Sequence, residues 1–128
     1  MDNNFSALLG ELESIAEAKS KRDLEGTWFK GSDTYLQAMI DEVQEVRAEI
    51  ITNRQCFIED ELGDLLWNFV CVLQHLELEN KIDKRKVYQR VVQKYRDRVT
   101  ERLPNETWED VKKRQKSALL QEAKKNKA

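Results

Sequence analysis

Five carboxylates stand out by their spacing: Asp41-Glu42-x-x-Glu45 and Glu61-x-x-Asp64. Side chains three apart on a helix have Cβ atoms about 5–6 Å apart, so Glu42 with Glu45, and Glu61 with Asp64, can each offer two carboxylates to one ion. If the carrier helices pack antiparallel, four oxygens converge. Two carboxylates about 4 Å apart at an effective dielectric of about 20 repel by about 4 kcal/mol, so convergence calls for a cation. A hard divalent ion that takes oxygen ligands, keeps waters and shares carboxylates with substrate phosphates is magnesium, with manganese as its substitute.

The plainer alternative is a solvated acidic face. Projection at about 100° per residue argues against it: Glu61, Asp64, Asn68 and His75 flank an apolar arc of Ile58, Leu62, Leu65, Leu66, Phe69, Val72 and Leu73. The acids border the core. Gly63 lies between them at a cost of about 1 kcal/mol relative to Ala inside a helix, which points to a close approach by another backbone or a ligand. Di-iron chemistry would need Glu-x-x-His pairs, but position 72 is Val and His75 is the single histidine. His75 reads as an ordinary polar residue.

Helices must position these acids. Four Gly and one Pro in 128 residues leave few breakers, so the fold is expected to be all-α, a bundle of four to five helices. Phe5, Leu8, Leu9, Leu12, Ile15 and Ala16 define a first amphipathic helix that ends near the charged residues 19–23. Ser32 or Asp33 can cap a second over about residues 34–52, with Leu36, Met39, Ile40, Val43, Val46 and Ile50 as its core stripe. Asn53 caps its end or opens a short connection to a third helix, about 57–78, which therefore packs antiparallel to the second. Asp83 starts a fourth, carrying Val87, Val91, Tyr95 and Val99 and stopped by Pro104; Thr107 with Asp110 forms a capping box for a fifth. A basic, frayed tail follows at about 121–128.

The length fits one domain, 1–128. With 22 basic against 24 acidic residues, the net charge of -2 does not favour nucleic acid as a partner, and the lysines after Trp108 have no interleaved aromatics. Cys56 and Cys71 lack metal or disulfide spacing, the N-terminus with Asp2 lacks a signal-peptide layout, and no apolar run reaches membrane length, so a soluble, cytoplasmic protein is expected.

The residues 59–67, Glu-Asp-Glu-Leu-Gly-Asp-Leu-Leu-Trp, together with Asp41-Glu42-x-x-Glu45, whose last acid is separated from Glu61 by fifteen residues, resemble the MazG family of all-α nucleotide pyrophosphohydrolases. Gln93-Lys94-Tyr95-Arg96-Asp97-Arg98 is similar to the family's K-F-x-x-R segment, and Trp108-Glu109-Asp110-Val111-Lys112 to its W-x-x-V-K, so the likeness spans about 23–116. It implies hydrolysis of nucleoside triphosphates to monophosphate and pyrophosphate, with a house-cleaning role on non-canonical (d)NTPs as one form. Glu42, Glu45, Glu61 and Asp64 become metal ligands and catalytic groups. Lys94, Arg98, Trp108 and Lys112, with Trp28 and Lys30 of the loop after the first helix, become substrate contacts. The resemblance also implies an intertwined homodimer or homotetramer. Asp41 stands where the family has Glu, and the loop lacks a Cys-Pro-Trp-Asp run. A dCTP, dUTP or phosphoribosyl-ATP pyrophosphohydrolase is the nearest alternative; a non-enzymatic helical module binding through residues 112–116 is the distant one.

Overall fold

The structure, a computed structural model, describes residues 4–126. Asp2 and the last residues of the lysine-rich tail lie outside that range. The described residues form five α-helices and no strand: α1 (Phe5–Glu25), α2 (Asp33–Ile50), α3 (Gln55–Leu78), α4 (Lys84–Tyr95) and α5 (Trp108–Lys125), with a π-helical turn, Arg96–Thr100, prolonging α4. The expected all-α class is therefore observed. The chain divides into two compact units after Lys84.

In the first unit, Asn4 caps α1 by accepting the Ala7 N–H at 2.8 Å. The helix ends at Glu25, near the charged run at 19–23 as expected. Lys19 and Asp23 are one turn apart and pair with each other, so the run neutralises itself inside α1. Gly31, at φ +96°, makes the turn into α2 that a side chain would strain. Ser32 sits at the N-cap position with helical backbone angles but makes no side-chain cap; the Gly31 and Ser32 carbonyls accept the Thr34 and Tyr35 N–H groups. Asn53, at φ 57°, turns the chain into α3.

Tyr35 meets the Cys71 and His75 end of α3 while Glu42 meets Glu61 and Asp64, so α2 and α3 run antiparallel as expected. The core gathers Ala16, Tyr35, Val70, Cys71 and Val72, with Leu12, Phe29, Met39, Trp67 and Leu76 against it. The predicted stripe of α2 is only partly covered: Val46 is buried, but Leu36, Ile40, Val43 and Ile50 are exposed, as are Leu62, Leu66 and Phe69 of α3. Periodicity marks an apolar face, much of which stays exposed among the described residues.

In the second unit, Thr107 and Asp110 form the predicted capping box, with Asp110 N–H donating to Thr107 Oγ1 at 3.1 Å and Thr107 N–H to Asp110 Oδ2 at 2.9 Å. Pro104 lies in the connection beyond the π-helical turn. Lys124 and Lys125, expected in the frayed tail, are helical.

Candidate active site

Antiparallel packing of α2 on α3 sets Glu42 beside Glu61 and Asp64, one turn apart on α3. Ligand oxygens of these three carboxylates all lie within 4.8 Å of one another. No described residue forms an ion pair with any of them, and Glu42 Oε1 is a buried atom without a hydrogen-bond partner. Burial first, then a hydrogen bond with Glu61 and the charges of Glu61, Asp64 and Glu45, push the Glu42 carboxyl up to about 7. Burial, with Asp60 and Glu61, raises Asp64 as well. Such an arrangement favours either protons or a cation, and the donor set of hard carboxylate oxygens around an orphaned buried atom fits a divalent metal.

Glu45 is exposed and stands outside the trio, acting on Glu42 through its charge. Asp41 is held on its own helix, accepting from Gln37 Nε2 at 3.4 Å. Gly63 shows no close approach within the chain: a Cβ built there meets nothing within 4 Å. The backbone contact inferred from its presence is therefore not seen among the described residues.

Three of the cationic residues predicted to bind substrate, Lys94, Arg98 and Lys112, lie in the second unit. Joined by Arg90, Gln115 and Lys116, they line a groove of about 540 Å³ between α4 and α5. Trp108 does not anchor the core; it is partly exposed, with Arg98 5.5 Å from its ring centroid. Lys112 makes a loose, exposed pair with Glu109 at 3.8 Å. In the first unit, Trp28 is half-exposed, edge-on to Phe29 and Tyr35 and 4.5 Å from Lys19 Nζ, while Lys30 is exposed.

A buried polar network escaped the sequence reading. Asp23, 1% exposed, accepts from Tyr35 Oη at 2.6 Å, lies 2.8 Å from His75 Nε2 and pairs with Lys19. Phe29 stacks on His75 with centroids 4.1 Å apart. Burial alone would raise the Asp23 carboxyl, but hydrogen bonds from Lys19, Tyr35 and His75 together hold it below its ordinary value. The signal was available: Asp23 follows Ala16 by seven residues, on the face of α1 that is buried.

The profile of the MazG nucleotide pyrophosphohydrolase domain matches residues 30–103, more than half of the chain. The chain belongs to this family. The MazG match contains all four motif acids, Lys30, Lys94 and Arg98, and leaves Trp28, Trp108 and Lys112 outside it. Searches of curated proteins and of solved structures each returned no match. Membership brings the all-α class and the nucleotide pyrophosphohydrolase activity general to the family. No helix among the described residues is long and apolar enough to cross a membrane.

Proposed function

We propose that this MazG protein hydrolyses nucleoside triphosphates to the monophosphate and pyrophosphate, with a divalent cation held by Glu42, Glu61 and Asp64 and supported by Glu45. The observation that carries the reading is Glu42, whose Oε1 is buried and unpartnered and whose carboxylate lies within 4.8 Å of those of Glu61 and Asp64. Magnesium is the ion proposed, manganese its substitute. Bound there, the ion supplies Lewis-acid polarisation of phosphate oxygens and a water acidified for attack at the α-phosphorus.

The chain's own groups do the rest. Glu42, Glu61 and Asp64 hold the charge that the cation neutralises, and Glu45 adds a further negative charge beside them. Arg98 binds phosphate oxygens bidentately through its guanidinium, and Lys94 and Lys112 add point charges. Trp108, Trp28 and Lys30 are proposed as further substrate contacts, on the family likeness. The substrates proposed include non-canonical (d)NTPs, the class cleared in house-cleaning.

The family match crosses the division after Lys84, which supports a single domain over 1–128. The exposed apolar residues Leu36, Ile40, Val43, Leu62, Leu66 and Phe69 support a homodimer or homotetramer, because monomers seldom leave so much of an apolar face in water. Free Cys56 and Cys71 fit the proposed cytoplasmic location.

The test is pyrophosphate release from a panel of canonical and non-canonical nucleoside triphosphates, with and without magnesium, comparing wild type with Glu61→Gln. Metal-dependent release that falls at least about 100-fold in the variant supports the proposal. Metal-independent release, or a fully active variant, overturns it.

A further inference from the structure

One side chain of α5 reaches the two phosphate-binding candidates of α4 and its π-helical extension. Gln115 Oε1 accepts from Arg98 Nε at 2.8 Å, and Gln115 Nε2 donates to the Lys94 carbonyl at 3.1 Å. Both ends of one amide are therefore used, one on a guanidinium and one on the backbone just before the π-helical turn. There the hydrogen-bond pattern lengthens to i→i+5, as in the Glu101 N–H bond to the Arg96 carbonyl at 2.7 Å. Arg98 is thus set on a local irregularity of the helix whose start Gln115 ties to α5.

Two rings complete the setting. The Arg98 guanidinium carbon lies 5.5 Å from the ring centroids of both Tyr95 and Trp108. With Nε engaged and the aromatic rings adjacent, rotation of the guanidinium is restricted. Its two terminal nitrogens have no hydrogen-bond partner among the described residues, and Arg98 lines the same groove as Lys94 and Lys112. A planar fork with a fixed orientation and both terminal nitrogens free is the arrangement that recognises a phosphate bidentately.

We propose that Gln115 is a positioning residue: by holding Arg98 Nε and the Lys94 carbonyl, it orients the Arg98 fork towards a phosphate group of the substrate. The inference rests on the phosphate-binding role proposed for Arg98. Gln115 was not singled out by its position in the sequence, although it lies one turn after buried Val111 and so on the inward face of α5.

The experiment is a double-mutant cycle of Gln115→Met and Arg98→Ala on the full chain, each protein first checked by circular dichroism and melting. Gln115→Asn, too short to reach both partners, replaces Gln115→Met should that variant fail to fold. KM and kcat for a hydrolysed triphosphate are measured, and binding of inorganic tripolyphosphate is followed by calorimetry. With Arg98 intact, loss of the amide is expected to raise KM and weaken tripolyphosphate binding about tenfold, with kcat within about twofold. In the Arg98→Ala background the same change should do nothing further. An equal effect in both backgrounds would mean a merely structural role and overturn the proposal, as would no effect with Arg98 present. Absence of any pyrophosphate release by wild type would defeat the enzymatic reading instead, and tripolyphosphate binding across the four proteins would still decide this one. Wild type that binds no tripolyphosphate overturns it.

Discussion

His75 Nε2 of α3 and Asp23 Oδ2 of α1 lie 2.8 Å apart, and Tyr35 of α2 donates to the same oxygen at 2.6 Å. A single carboxylate thus ties together the three helices that carry and support the acids proposed to bind metal. A carboxylate accepts only, so the His75 ring donates from Nε2, and stacking against Phe29 restrains its plane. The network sits at the far end of α3 from Glu61 and Asp64, so its contribution to function runs through the rigidity of the α2 and α3 pair.

Replacing Asp23 with Ala leaves Tyr35 and His75 buried without their shared acceptor. Each orphaned donor costs about 1–3 kcal/mol, so Asp23→Ala should lose about 2–6 kcal/mol of unfolding free energy. Asp23→Asn, which retains one acceptor oxygen, should lose less. Urea denaturation measures both; a change below about 1 kcal/mol for the Ala variant would mean that the network is dispensable.

The same carboxylate makes a pH prediction with a definite sign. Its folded-state pKa lies below the ordinary value of 3.8, so at acid pH the unfolded chain binds the proton more readily than the folded one. The stability Asp23 contributes is fully present above about pH 4 and is lost as pH falls through the lowered folded value. Wild type should therefore lose stability more steeply below about pH 4 than Asp23→Asn, as read by melting temperature across an acid series. Parallel curves would rule this contribution out.

How much of this was legible from sequence follows from what each signal measures. The strong 3.6-residue periodicity that predicted helices over about 34–52 and 57–78 located α2 and α3 to within about two residues, and with them the juxtaposition of Glu42, Glu61 and Asp64. Periodicity reports which face is apolar and not what covers it, which is why Leu36, Ile40 and Val43 were assigned to a core yet are exposed in this chain. Asp23 was read as the end of a charged run because charge suggests solvent, whereas its Lys19, Tyr35 and His75 partners come from three different helices. The π-helical turn at Arg96–Thr100 has no evident local signal, and its tie to Gln115 is a tertiary contact that only the fold reveals.

The proton held by Glu42 up to about pH 7 should compete with metal. Apparent affinity for magnesium or manganese should rise with pH between about 5 and 7 and level off above, with proton release visible by calorimetry in buffers of different ionisation enthalpy. Without metal the sign reverses for stability. The folded state then binds more protons than the unfolded state across that window, so stability should fall as pH rises towards 7. Glu42→Gln should remove both dependences; a metal affinity independent of pH in wild type would contradict the assignment of Glu42 as a ligand.

Gly63 separates folding from function. A methyl group at this position meets nothing within 4 Å, and the residue lies inside α3, so Gly63→Ala should stabilise the isolated fold by about 0.5–1 kcal/mol and raise its melting temperature by a few degrees. No packing among the described residues explains why a glycine stands between Glu61 and Asp64. If the space above it is filled by substrate or by a second copy of the chain, the same substitution should lower pyrophosphate release at least about tenfold or weaken self-association, because a methyl in a close contact costs more than the helix gains. Release assays and light scattering on the one variant distinguish these two occupants. A protein that is more stable, equally active and equally associated would remove the case for any close approach at Gly63.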